Sequence, residues 1–176
     1  MEQIAASPRF RPPPAPDAIG ARAPGWIDTP VGRLQVDVAG EVVTSIRWVE
    51  AGIGGNAAPG ESPVLRAALA QLDAYFVGRL RDFDLPLAPA GSPFEHAVWD
   101  LMCAIPWGRT MTYGEMADAL GGTARAVGGA CGSNPIPVVI PCHRVLGAGD
   151  RMTGYSGRGG VETKRRLLML EGALLI

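Results

Sequence analysis

The stretch Ala124–Val145, "ARAVGGACGSNPIPVVIPCHRV", decides how the rest of the chain is read. It opens as a short helix of very small residues, capped by Thr123, with Arg125 and Val127 as its larger side chains. After "GSNPIP" the apolar run Val138–Ile140 reads as a short buried strand. That run ends in Pro-Cys-His-Arg, a thiol beside an imidazole and a guanidinium. Cys142 is either a small core residue at a strand end or a nucleophile. From Cys-His alone the core reading is favoured.

The nucleophilic reading has physical requirements. The thiol pKa must fall from about 8.5 through a cation, a helix N-terminus or a base. Neighbours in an extended strand point to opposite faces, so direct contact between Cys142 and His143 needs a turn at Pro141, or a bridging water. His143 also needs an orienting carboxylate. Glu171, Glu162, Glu115 and Asp150 are the candidates, and spacing alone does not choose among them.

Working upstream, Thr112 caps a short helix carrying Met116, Ala119 and Leu120, and Gly121-Gly122 turn the chain into the Ala124 helix. Two short helices across a glycine turn make a helix-turn-helix candidate. A major-groove reader projects several long polar side chains toward base edges. The second helix instead offers a smooth surface and one arginine, which suits close approach to a narrow groove with insertion of a single side chain. Tight helix packing accounts for the small residues equally well. Further upstream, Ser92-Pro93 with Glu95 has capping-box spacing, and Phe94, Val98, Leu101 and Met102 form an apolar stripe ending before Pro106. Downstream, a glycine-rich loop leads to a last helix over Val161–Leu170, with Glu171 at its end.

The other half has a different texture. Residues 1–24 are rich in Pro, Ala and Arg and read as an extended or mobile lead-in. Ile27, Leu34–Val38 and Val42–Val49 read as strands, with a tight turn at 39–41, and 51–62 as a flexible loop. Ser62-Pro63 starts a helix that Gly78 stops, with Val64, Leu65, Ala68, Leu69, Leu72, Tyr75 and Phe76 on one face. Phe83–Leu87, "FDLPL", reads as a short strand before a boundary near 88–92.

Composition limits the alternatives. The 176 residues are 47 % hydrophobic and 19 % charged, enough apolar material for one generous domain or two small ones. No apolar run approaches the roughly 18–20 residues of a membrane span. The opening "MEQIAASPRF" lacks the apolar core of a signal peptide, so the expected location is the cytoplasm. Three cysteines (Cys103, Cys131 and Cys142) without Cys-x-x-Cys spacing favour neither a disulfide framework nor a metal site. The net charge of −1 supplies no basic field, so any nucleic-acid contact must come from local arginines.

Taken together, "NPIPVVIPCHRV" resembles the active-site signature of the methylated-DNA–protein-cysteine methyltransferases, the O6-alkylguanine-DNA alkyltransferases. "SPFEHAVWDLMCAIPWGRTMTYGEMADALG" is similar to the family's passage through its helix-turn-helix, and "GYSG" and "KRRLLMLEG" to its pocket loop and final helix. The resemblance is strong over 92–172 and weaker over 25–91. It implies an α+β fold: a small ribonuclease-H-like α/β domain of antiparallel strands plus a helix at 25–90, then a mostly α-helical domain with the helix-turn-helix at 91–176. It also implies irreversible, stoichiometric transfer of an alkyl group from O6-alkylguanine, or less readily O4-alkylthymine, to Cys142 after base flipping. In the implied roles, His143 is the base acting through water, Glu171 orients it, and Asn134 is the hinge. Tyr113 donates to the base or contacts the phosphate, and Arg125 fills the space of the extruded nucleotide. Val145, Tyr155, Ser156 and Gly157 line the guanine pocket. Thr112, Tyr113, Thr123, Ala124, Arg125, Ala126, Gly128 and Gly129 face DNA, and Arg144 makes structural bonds. The implied partner is double-stranded DNA containing O6-alkylguanine, met through the minor groove by a monomer, with cooperative assembly on DNA left open. No cofactor, metal or membrane is implied. Arg158 is an extra residue in the pocket loop relative to the family pattern. A non-catalytic lesion binder of the same fold would lack Cys142. A Cys-His hydrolase or a sequence-reading regulator finds no further support in the chain.

Overall fold

The protein is represented by a computed structural model that describes residues 9–14, 24–54 and 62–174. They fall into two compact units, one running from Arg9 to Ala90, the other holding Gly91 and the chain that follows. Much of the expected lead-in (1–8 and 15–23) and most of the expected 51–62 loop (55–61) lie outside the described residues. Within the lead-in, however, Phe10 is buried and bridges Leu87.

In the first unit, strands β1 (Gly25–Thr29), β2 (Gly32–Ala39) and β3 (Val42–Val49) form an antiparallel sheet in the order β1-β2-β3. Leu34, Val36, Val43 and Ile46 are sunk into its core. Helix α1 (Pro63–Phe76) starts where the sequence places it: the Ser62 side chain accepts from Leu65 N, and Pro63 occupies the first turn. Its inner face, Leu65, Ala68, Leu72 and Tyr75, has no exposed surface. A Cβ at Gly25 would come within 2.8 Å of Leu65 Cδ1, so the glycine lets β1 lie close against α1. Phe83–Leu87 forms no strand. Pro86 cannot donate to a ladder, and the segment meets the sheet through Val43 N donating to Pro86 O (2.8 Å) and Ala88 N to Val43 O (2.9 Å).

The second unit is built on helix α2 (Pro93–Ala104), whose capping box is complete: Ser92 Oγ accepts from Glu95 N, and Glu95 Oε2 accepts from Ser92 N. Helices α3 (Tyr113–Leu120) and α4 (Ala124–Gly132) follow, each with its threonine N-cap, Thr112 and Thr123. Gly121 joins them in the left-handed conformation (φ 65°), where a glycine carries no steric penalty. Trp99, fully buried on α2, donates from Nε1 to Ala130 O on α4 at 2.7 Å. A two-residue parallel pairing joins β4 (Met111–Thr112) to β5 (Val145–Leu146), setting the residues after Cys142 beside the start of α3. Neither strand is visible as a hydrophobic pattern, being too short to alternate. Helix α5 (Gly160–Leu170) closes the unit through buried Thr163, Lys164, Leu167 and Leu168.

Val138–Ile140 is not the expected strand. It is a buried turn in which Ile140 N donates to Ile136 O (2.9 Å) and Val138 adopts φ +74°. A β-branched residue in that region is a genuine outlier, held here by complete burial. Its apolarity reflects packing around a turn, which a hydrophobic run does not distinguish from a strand.

Candidate active site

The thiol is held by a turn and a clip. After Pro141 the chain enters a short 3-10 turn, Cys142–Arg144, and is not extended through Cys142 and His143. One side chain fixes its distance from α4. Asn134 Oδ1 accepts from Ile136 N at 3.0 Å, and its Nδ2 donates to Ile140 O at 2.8 Å, with both bonds buried. Buried amides left unpaired are costly, so Asn134 fastens the end of α4 to the residues just before Cys142. Burial pushes the Cys142 thiol up from its ordinary pKa, while the Asn134 amide and the Lys164 ammonium pull it back.

Behind the thiol lies a buried charge cluster. His143 Nε2 meets Glu171 Oε1 at 2.8 Å with no exposed side-chain surface on either. Arg144 grips the same carboxylate with Nε to Oε2 (2.8 Å) and Nη2 to Oε1 (3.0 Å), and Nη1 donates to Ile105 O at 2.6 Å. This two-point arginine fork is the strong form of carboxylate pairing. Burial pushes the Glu171 carboxyl up, but the bonds from His143 and Arg144 outweigh it and hold the pKa at about 2. Burial lowers the His143 pKa, and the Glu171 carboxylate opposes this. Of the four carboxylates that spacing left open, two have other employment: Glu115 Oε2 accepts from Thr112 N and Oγ1 at the start of α3, and Glu162 pairs with Arg165 and Arg166 at the surface.

In front of the thiol is a cavity of about 110 Å³ lined by Cys142 and Tyr113, by Gly128, Cys131 and Gly132 of α4, and by Gly154–Ser156 of the loop. The Tyr113 hydroxyl donates to Thr153 O at 3.5 Å. Burial raises its pKa to about 12, so it keeps its proton at neutral pH. Lys164 sits beneath the loop with no exposed surface. Its three donors reach Val145 O (2.5 Å), Thr153 O (3.0 Å) and Gly154 O (3.2 Å), and Nζ lies 5.8 Å from the Tyr113 ring centroid. The sequence reading did not single out Lys164. One signal was available: it is the only lysine among 16 basic residues, where a compact ammonium serves and an arginine fork does not.

The expected site residues separate by location. Cys142, Tyr113, Tyr155 and Ser156 meet at the cavity. His143, Glu171 and Asn134 lie buried behind it. Val145 and Gly157 are buried and not among its lining residues; Val145 contributes its carbonyl to Lys164, and Gly157 accepts from Gly160 N. Thr123, Ala124, Arg125, Ala126 and Gly129 are exposed on α4. Arg125, Gly128 and Gly132 follow one helix face, so the arginine and the cavity share a side of α4. Thr112 and Thr123 use their hydroxyls as helix caps. None of the three cysteines is in a disulfide.

Residues 25–89 match a family described as 6-O-methylguanine DNA methyltransferase, ribonuclease-like domain. Residues 93–173 match 6-O-methylguanine DNA methyltransferase, DNA binding domain. The chain is 43% identical over 152 residues to a methylated-DNA–protein-cysteine methyltransferase from Mycobacterium bovis, covering 82% of this chain and 89% of that one. Among solved structures, the O6-methylguanine methyltransferase of Mycobacterium tuberculosis superposes with a TM-score of 0.74 at 41% identity, over 87% of this chain and 94% of that one. A complex of the Mycobacterium tuberculosis protein with DNA gives 0.73 at 42% identity, over 85% and 92%.

Proposed function

The chain belongs to the 6-O-methylguanine DNA methyltransferase family, and from that membership we propose that it repairs DNA by moving an alkyl group from O6-alkylguanine to Cys142, once per molecule. The observation that carries this reading is the placement of Cys142 on a small cavity, with a buried His143–Glu171–Arg144 cluster behind it and a proton-bearing phenol in front.

The alkylated oxygen lies within the base stack, so the nucleotide must be turned out of the duplex to reach a buried thiol. The Ala/Gly surface of α4 lies against the minor groove, and exposed Arg125 enters the stack in place of the lost base. The Cys142 proton passes to His143 through water. It is received at Nδ1, because Nε2 is committed to Glu171. The thiolate attacks the alkyl carbon in line, forming a carbon–sulfur bond as the bond from carbon to guanine O6 breaks. The leaving guanine takes a proton from Tyr113, whose raised pKa keeps that proton available at neutral pH. A thioether is a poor leaving group, so the alkylated protein does not turn over. The protein works as a monomer, and the chemistry draws on the chain's own side chains and water.

The test uses duplex DNA carrying radiolabelled O6-methylguanine. Label moves to protein up to one equivalent, and Cys142→Ala abolishes transfer while DNA binding persists. Multiple turnovers, or transfer surviving the substitution, would overturn the reading.

A further inference from the structure

The cavity holds a second thiol. Cys131, near the end of α4, lines it together with Cys142, and the two are almost equally screened, at 6 % and 4 % exposure. The cavity, about 110 Å³, is roomy enough for a peroxide-sized molecule between its walls. We propose that Cys131 is a second covalent site of this pocket, which captures an oxidised Cys142 as a reversible disulfide.

The inference rests on the reading of Cys142 as a consumable nucleophile. A hydroperoxide oxidises the Cys142 thiolate to a sulfenic acid, and the peroxide oxygen that is lost leaves as water or an alcohol. The Cys131 sulfur then attacks the sulfenic sulfur, a sulfur–sulfur bond forms, and hydroxide leaves with the Cys131 proton as water. A dithiol reductant returns two electrons and restores both thiols. Without a partner the sulfenic acid proceeds to sulfinic acid, which is irreversible for most proteins. In a molecule with a single acceptor, that step destroys the activity as surely as an alkyl group does.

Two features make Cys131 suited to the part. In the resting protein, burial and the neighbouring Cys142 push its pKa to about 12, so it is protonated and does not compete for alkyl groups. Lys164 favours the Cys131 thiolate that attack on the sulfenic sulfur requires. Second, both side chains open on the same small cavity, across which closure needs a Cα–Cα span of roughly 4.4–6.8 Å.

The experiment treats the full chain, free of DNA, with hydrogen peroxide, blocks remaining thiols, and maps peptides without reduction. A cross-linked pair containing Cys131 and Cys142 is expected, together with recovery of label transfer after dithiothreitol. Cys131→Ser, measured against its own untreated activity, should lose transfer irreversibly under the same dose. Cys103→Ser should recover like the parent. Sulfinic acid at Cys142 with no Cys131 cross-link in the parent protein would overturn the proposal, as would equal recovery of the Cys131→Ser protein. Label transfer by untreated protein separates these results from a failure of the alkyl-transfer reading.

Discussion

Glu171 accepts three hydrogen bonds from two basic side chains in a space that water does not reach, and Glu171→Gln tests what that carboxylate does for the protein. Both oxygens face donors, so a glutamine must turn its NH2 toward one of them. One basic group is then left buried without its acceptor, which costs about 3–5 kcal/mol. The pH dependence is more diagnostic than this total. Glu171 has an ordinary pKa of 4.5 and a folded value of about 2. A depressed carboxylate contributes stability that is fully present above its unfolded pKa and is lost as pH falls toward its folded pKa. At about 1.36 kcal/mol per unit, the full contribution is about 3 kcal/mol, of which about 2 kcal/mol is gone by roughly pH 3. The assay is urea unfolding of parent and variant at intervals from pH 7 to 3. The stability gap should be widest at neutral pH and narrow by about 2 kcal/mol between roughly pH 5 and 3. A gap below 1 kcal/mol at pH 7, or one independent of pH, would refute the assignment of Glu171 as an ionised anchor.

Arg125→Ala should change stability by no more than about 0.5 kcal/mol, since the side chain is exposed. The same variant should slow transfer from duplex DNA far more than reaction with free O6-methylguanine; equal losses on both would remove Arg125 from extrusion. Asn134→Ala should leave the Ile136 amide without its partner, at about 1–3 kcal/mol if it stays buried, while the Ile140 carbonyl keeps the bond from Cys142 N. Hydrogen exchange at the Ile136 amide is the direct check, and unchanged protection there would count against the clip. Lys164→Met removes the donor shared by Val145, Thr153 and Gly154, at a similar cost for each carbonyl left buried. Its urea midpoint should fall and its label transfer slow, and an unchanged midpoint would contradict the role of Lys164 beneath the loop.

The helices and their starts were legible in the sequence because their signals are local. Ser62, Ser92, Thr112 and Thr123 all cap the helices they precede, and the apolar faces of α1 and α2 follow from periodicity. The strands of the first unit alternate clearly enough to be read as well. What escaped depends on distant parts of the chain. "VVI" has strand composition but turns, because Asn134 and the surrounding core hold Val138 in a conformation its side chain disfavours locally. "FDLPL" fails as a strand because Pro86 removes a donor. The pairing of β4 with β5 spans two residues on each side and leaves no pattern to detect. Cys142 was ambiguous from its neighbours, and the nucleophilic reading came only from the family resemblance, with Tyr113, Arg125, Asn134 and Glu171 at fitting positions. Lys164 was missed because its partners are backbone carbonyls, which any sequence supplies.

The Asn134 clip has a consequence for which partner must deform. A single amide bridges the end of α4 and the residue two places before Cys142, so the thiol and the helix form one rigid piece. Cys142 cannot be carried toward a target without bringing α4 along. Under the proposed function the protein therefore sets a fixed distance and the nucleotide makes the journey, so the stacking and pairing that hold the damaged base weigh directly on how readily it is reached.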